Sequence, residues 1–166
     1  NAFTPMYHTV HDTSYSIFQG MNYPYGDHIS FTDGQPPMSL PMRFVHQNIA
    51  PVGNYTLAWI NLFMLLSFVV AAVILYYILR LYALPGWLSV IIAVLISLLS
   101  PQWLRFAGQY ALAYAPAIPF AWLCLEKWVR SNNRKWLLPL ALHVMLFTAF
   151  HLYFLVMIGA FVGFYT

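Results

Sequence analysis

The chain has 166 residues, of which seven are basic and four acidic, against 61% hydrophobic residues and a mean hydropathy of +0.68. A soluble domain carries about 25% charged residues, so 7% is too few to cover a water-soluble globule, and the wealth of aliphatic and aromatic side chains excludes a disordered chain. The net charge of +3 points to no nucleic-acid partner, and the single Cys124 permits neither an internal disulfide nor a cysteine metal cluster.

What remains is an all-α integral membrane protein with the lipid bilayer as its partner. The expected architecture is a polytopic helical bundle of about four to five membrane helices, some short or broken. An irregular N-terminal outer loop with short helices precedes it. The composition changes near Asn54. Residues 1–55 hold Asp12, Asp27 and Asp33, four of the six histidines, and the prolines from Pro5 to Pro51. Residues 56–166 are almost continuously apolar. The chain begins at Asn1 without Met or a signal peptide and stops at Thr166 inside an apolar stretch, which predicts a fragment of a larger protein.

Within residues 1–55, a short interfacial helix is expected over 39–50. Met42, Val45 and Ile49 would share its apolar face, with Arg43 and Gln47 toward water or headgroups. The first span is expected over 57–79, uncharged and close to the roughly 20 residues a bilayer core requires. Arg80 closes it, and Pro85-Gly86 makes the turn. The second span, 87–100, ends at Pro101. A polar island follows with Gln102, Arg105 and Gln109. The third span is expected over 111–128, and KWVRSNNRK is the charged run after it. From Trp136 onward one helix would extend about 46 Å against a core of about 30 Å. A break at His151 therefore predicts two helices, 136–150 and 152–166. Gly159 and Gly163 form a small-xxx-small pattern that permits close helix approach.

Arg80 and the group Lys127, Arg130, Arg134 and Lys135 fall on one side of the membrane, which the positive-inside rule makes cytoplasmic. Residues 1–55 and the island around Arg105 then face the other side. This is the periplasmic or extracytoplasmic face if the membrane is a bacterial inner membrane.

Candidate chemistry therefore gathers on the outer face. A carboxylate such as Asp12 near a low-dielectric boundary suits proton abstraction from a hydroxyl. His8 and His11 are three apart, and a divalent metal there would need Asp12 or a remote His as third ligand. The alternative is a polar start to an interfacial loop. GMNYPYGDH, with Asp27 and His28, and the turn around Asp33 supply aromatics, amides and acids that suit a sugar. They also suit a purely structural loop. Arg105 at the membrane boundary has the fork geometry for a phosphate, or it snorkels to the interface. Gln109 lies one turn away and could share its ligand. His143 and His151 stand about 80° apart on one helix, which suits bonds within the bundle better than one shared haem.

The early acid, then GMNYPYGDH, then TDGQP, then the entry NYTLAWINL resemble the first outer loop of bacterial GT-C membrane glycosyltransferases. SPQWLRFAGQYALAYAPAIPFAWLCL resembles their second and third spans, and AFHLYFL their later helix break. The resemblance implies sugar transfer with inversion from a polyprenyl-phosphate-linked donor to an acceptor that the sequence leaves unknown. It implies Asp12 as general base, Asp27 or Asp33 as a second acid, and Arg105 at the donor phosphate. His11, His28, Gln109 and His151 complete the expected substrate-binding set, and a divalent metal is the one cofactor left open. The usual adjacent acidic pair is absent, since Thr13 follows Asp12. The alternative is a transport or envelope-assembly protein whose outer loop is structural.

Overall fold

The computed structural model describes residues 3–12, 14–20, 22, 24–29, 32, 34–106 and 108–165, with backbone alone for Phe3. The chain is mostly helical. Helix α1 (Phe3–Val10) leads into a two-residue antiparallel ribbon, β1 (Ile17–Phe18) with β2 (Asp27–His28), in the register Ile17 opposite His28. Then come α2 (Pro36–Asn48), α3 (Thr56–Leu81), α4 (Gly86–Leu98), the single turn α5 (Gln102–Arg105), α6 (Ala117–Ser131), α7 (Leu137–Phe150) and α8 (Tyr153–Tyr165).

Helix α3 shows what the apolar composition is for. Ile60, Met64, Phe68, Ala71, Ile74 and Ile78 recur every three or four residues and are buried against the rest of the chain. Its other face presents Leu62, Leu65, Leu66, Val69, Val70 and Val73, all exposed. An apolar stripe along the full length of a helix is far beyond the patches soluble surfaces tolerate. Two helical stretches, Gly53–Leu81 and Gly86–Arg105, are long and apolar enough to cross a membrane by length and composition.

The α3–α4 turn differs from the expected Pro-Gly turn. Ala83 takes the left-handed conformation (φ 60°), while Pro85 precedes α4 and Gly86 is its first residue. A non-glycine residue there costs about 1 kcal/mol or more. Arg80 Nη1 offsets part of this by donating to Leu84 O at 2.7 Å, satisfying a carbonyl past the helix end.

Pairings at the two ends of the bundle give its directions. At the far end of α3, Glu126 of α6 accepts hydrogen bonds from Tyr82 Oη, from Tyr165 Oη of α8 at 2.5 Å, and from Arg130 Nε at 2.6 Å. Arg130 Nη1 also donates to Leu81 O at 2.6 Å. The C-terminal ends of α3, α6 and α8 thus meet in one polar clasp. At the near end, Tyr114 packs on Phe150 (4.3 Å between ring centroids) and donates to Gln35 Oε1 at 2.8 Å. This contact fastens the N-terminal region onto the bundle. The break at His151 occurs where length demanded it, with extended backbone between α7 and α8.

Helices α6, α7 and α8 have 15, 14 and 13 residues, or about 20–22 Å each. The third span differs from expectation because helix begins only after Pro116. Residues 110–112 form one 3-10 turn instead. The intervening backbone is buried in protein at Ala111, Ala113, Tyr114 and Ala115. Ser67 Oγ, midway along α3, accepts from Ala115 N at 3.3 Å. Buried non-helical backbone is tolerated when protein groups satisfy it. A Cβ at Gly159 or Gly163 would meet nothing within 4 Å, so the expected close approach is not made on that side among the described residues.

Candidate functional site

The N-terminal region is built around Arg43, which α2 presents to the interior with Pro36, Ser39 and Met42 on one buried face. This reverses the expectation that Arg43 meets water or headgroups. Its guanidinium is fully buried. It donates through Nη2 to Asp12 O at 2.5 Å, and through Nη1 to Ser14 O and to His8 O at 3.5 Å. It also lies over the Tyr15 ring at 4.5 Å. These carbonyls belong to the end of α1 and the turn after it, where a cation complements the helix dipole. Gly53 lets the next turn close against α1, because a Cβ there would stand 2.6 Å from Val10 Cγ2.

Arg43 also fixes the state of His8. A guanidinium has no acceptor, so His8 Nε2, 3.4 Å from Nη1, must be the acceptor and carry no proton. The ring proton then sits on Nδ1, which donates to Asp12 Oδ2 at 2.6 Å. The other carboxylate oxygen accepts from the Gln19 backbone N–H at 3.0 Å. Both side chains of the His8–Asp12 pair are fully buried. Asp12, expected as the general base, is thus a buried carboxylate with both oxygens hydrogen-bonded in this arrangement.

Burial holds His8 below its ordinary value of 6.5, against the raising pull of Asp12. The unfolded region therefore binds the His8 proton more readily than the folded one. Its stability contribution is complete above about pH 6.5 and declines as pH falls below that value. Thermal unfolding between pH 7.5 and 5 should show this slope, and His8→Gln should flatten it. An identical slope in His8→Gln would assign the effect to another group.

The remaining candidates occupy separate places. His11 is exposed and packs against Tyr7 at 4.8 Å, so it is not presented jointly with the inward-facing His8. No three His, Cys, Asp or Glu side chains are grouped as metal ligands would be among the described residues. Asp27 is half-buried, and both of its oxygens accept from the Asn22 amide at 3.0 Å. One amide leaves most of the roughly four lone-pair sites of a carboxylate open. Gly26, at φ 70°, makes the turn that delivers Asp27 into β2 beside exposed His28. Asp33 lies outside the described residues. His151 stacks on Tyr153 at 4.9 Å and accepts from the Tyr153 backbone N–H at 3.2 Å.

Arg105 lies on the opposite side of α5 from the aromatic packing that seats it. Trp103 stacks on Phe68 at 4.3 Å. Phe68 is twelve residues into α3, about 18 Å from its start and midway along it. Arg105 is exposed there and donates to Gln109 Oε1. The two line a groove of about 380 Å³ with Pro101, Leu104 and Gly108. Among the described residues no carboxylate forms an ion pair with Arg105.

Sequence reasoning missed two residues, Arg43 and Gln35. Arg43 follows Pro36 and Ser39 at helical spacing, and two small neighbours on one face leave room for a long side chain. Gln35 is buried, takes φ 47° before α2 and holds Tyr114. No local pattern announces a partner 79 residues away.

A family model described as a domain of unknown function (DUF6311) matches residues 11–166. No curated protein and no solved structure matches the chain.

Proposed function

We propose, for a chain that belongs to the DUF6311 family, that it serves a membrane glycosyltransferase of GT-C type. In this reading it works at the outer face of a bacterial inner membrane. Helices α3, α4, α6, α7 and α8 are its membrane helices, the shorter ones beneath a bilayer thinned or roofed by residues 1–55. The donor is a sugar carried on a polyprenyl phosphate.

The observation that carries this reading is Arg105. It is an exposed cation at the end of an apolar helical stretch, donating to a neutral amide in an open groove. A cation at the edge of so apolar a surface favours an anionic partner, and its planar fork matches a phosphate. Gln109 retains its amide N–H groups for the same ligand or its sugar.

Transfer needs a base for the acceptor hydroxyl. Asp12 is engaged by His8 and Gln19 and serves the fold in this reading. Asp27, whose carboxylate is bonded to the Asn22 amide, is assigned the role of base for the acceptor hydroxyl. Arg105 is assigned separately to the donor phosphate, which gains negative charge as the sugar leaves it.

Arg105→Gln should weaken binding of a polyprenyl phosphate by about tenfold, the equivalent of about 1.4 kcal/mol, with thermal stability unchanged. Quenching of tryptophan fluorescence on titration reads this out. Equal affinity in both proteins would remove Arg105 from the site. The second reading is a non-enzymatic membrane protein. It draws on the closure of Asp12, since a carboxylate with both oxygens bound is what a structural loop requires.

A further inference from the structure

The end of the bundle remote from residues 1–55 holds five of the seven basic residues. They are Arg80 of α3, Lys127 and Arg130 of α6, and Arg134 and Lys135 of the 3-10 turn that follows α6 (Arg134–Trp136). Lys127 is half-buried and the other four are exposed. Bonds to the backbone bring them together. Arg130 Nη1 donates to Leu81 O at 2.6 Å and Arg80 Nη1 to Leu84 O at 2.7 Å. Two guanidinium groups from different helices therefore stand on the one turn between α3 and α4. Lys127 Nζ lies 5.9 Å from the centre of the Trp136 ring, which holds the 3-10 turn against α6.

The chain itself does little to neutralise this charge. Glu126 is the one acid packed at this end among the described residues. It is buried and accepts from Tyr82, Tyr165 and Arg130. Among the described residues no carboxylate forms an ion pair with Arg80, Lys127, Arg134 or Lys135. Five cations gathered around one engaged carboxylate raise a field that draws anions.

The surface between the cations is apolar. Trp87 at the start of α4, Val129 beside Arg130, and Leu138 three residues after Lys135 are all exposed. The Tyr82 ring lies under Arg130 at 4.6 Å. A nucleic acid or a soluble acidic protein would meet the cations and leave these apolar side chains in water. A phospholipid meets both. Its phosphate reaches the basic groups, the rings sit at headgroup level, and its first acyl carbons cover the aliphatic side chains.

We propose that this end of the bundle binds an anionic phospholipid of the adjoining leaflet, its headgroup shared between the α3–α4 turn and the 3-10 turn after α6. The proposal needs α3 and α4 to be membrane helices and is independent of sugar transfer. It also gives the lipid a structural consequence. Helix α4 packs chiefly on α3, so an anion shared by Arg80 and the cations of α6 ties that helical hairpin to the rest of the bundle.

The test uses the full chain in nanodiscs of phosphatidylcholine, alone or mixed with phosphatidylglycerol. Lipid retained per chain is read by native mass spectrometry. Phosphatidylglycerol should be retained over phosphatidylcholine by about tenfold, and the melting temperature should rise with its share of the bilayer. Arg134→Gln combined with Lys135→Gln should remove most of that preference. Both side chains are exposed, so melting in phosphatidylcholine should stay the same. Arg80→Gln combined with Lys127→Gln is the second pair, with the same expected loss. Equal retention of the two lipids, retention unmoved by both pairs, or a melting temperature indifferent to phosphatidylglycerol would each overturn the proposal. Displacement of phosphatidylglycerol by inorganic phosphate would overturn it in favour of a free-phosphate site. Binding of polyglutamate or duplex DNA in its place would assign the surface to a soluble polyanion. Arg105→Gln, at the other end of α4, should leave phosphatidylglycerol retention intact. Intact retention with loss of polyprenyl-phosphate binding in that variant supports both readings separately. Loss of phosphatidylglycerol in that variant would place the lipid at Arg105 and overturn the proposal.

Discussion

Replacing Arg43 with methionine is expected to destabilise residues 1–55 by about 3–5 kcal/mol, since buried carbonyls lose a charged donor and each such bond is worth about 1.5–3 kcal/mol. Methionine is apolar and flexible enough to fill much of the space, so the loss would be electrostatic. The carbonyls of His8, Asp12 and Ser14 would lose their donor. The buried Asp12 carboxylate would lose the nearby Arg43 cation, with His8 held neutral. The expected signs are a lower melting temperature and rapid protease cleavage between α1 and α2 in membrane vesicles, with α3 onward still protected. A triple variant, Arg43→Met with Asp12→Leu and His8→Phe, should recover part of the loss, because it removes the buried charges together. An Arg43→Met protein that melts like the parent would mean that the cluster does not hold the region together.

Asp27→Asn should lower sugar transfer by about 10²–10⁴-fold, the range for loss of a general base, while melting and donor binding stay the same. Asp12→Asn should do the reverse. It replaces one acceptor oxygen by a donor facing either His8 Nδ1–H or the Gln19 N–H, and the lost activity should follow the lost fold. Measuring rate and melting temperature on each variant separates the two acids. Full transfer in Asp27→Asn would return the base role to another outer-face acid. Loss of transfer in a fully stable Asp12→Asn would mean that the His8–Asp12 pair opens during turnover.

The long apolar helix was legible because its length, its lack of charge and its closing Arg80 all agree. The break at His151 was legible from length alone, since a helix of about 46 Å does not fit a core of about 30 Å. The pairing of Arg105 with Gln109 follows from their spacing of four. Other features depend on contacts remote in sequence. Arg43 looks like a surface cation until the carbonyls after α1 are brought to it, 29 to 35 residues away. Asp12 looks like an exposed acid until α1 closes on α2. The late start of α6 reflects a competition: residues 111–115 are apolar enough for helix, but Pro116 and the bond from Ala115 to Ser67 favour a buried turn. The seating of α5 emerges only when Trp103 is found stacked on Phe68 at the middle of α3.

The most direct test of the central claim is turnover of the donor itself. The full chain in nanodiscs would be given a polyprenyl phosphate carrying a radiolabelled sugar, with membrane extract as source of acceptor. Free polyprenyl phosphate and transferred label would be followed over time. The account predicts release that grows with enzyme concentration, is abolished by Asp27→Asn and is strongly slowed by Arg105→Gln. If neither release nor transfer exceeds the protein-free control with any polyprenyl-phosphate sugar, while the protein remains folded, the glycosyltransferase reading is contradicted and the structural-loop reading takes its place.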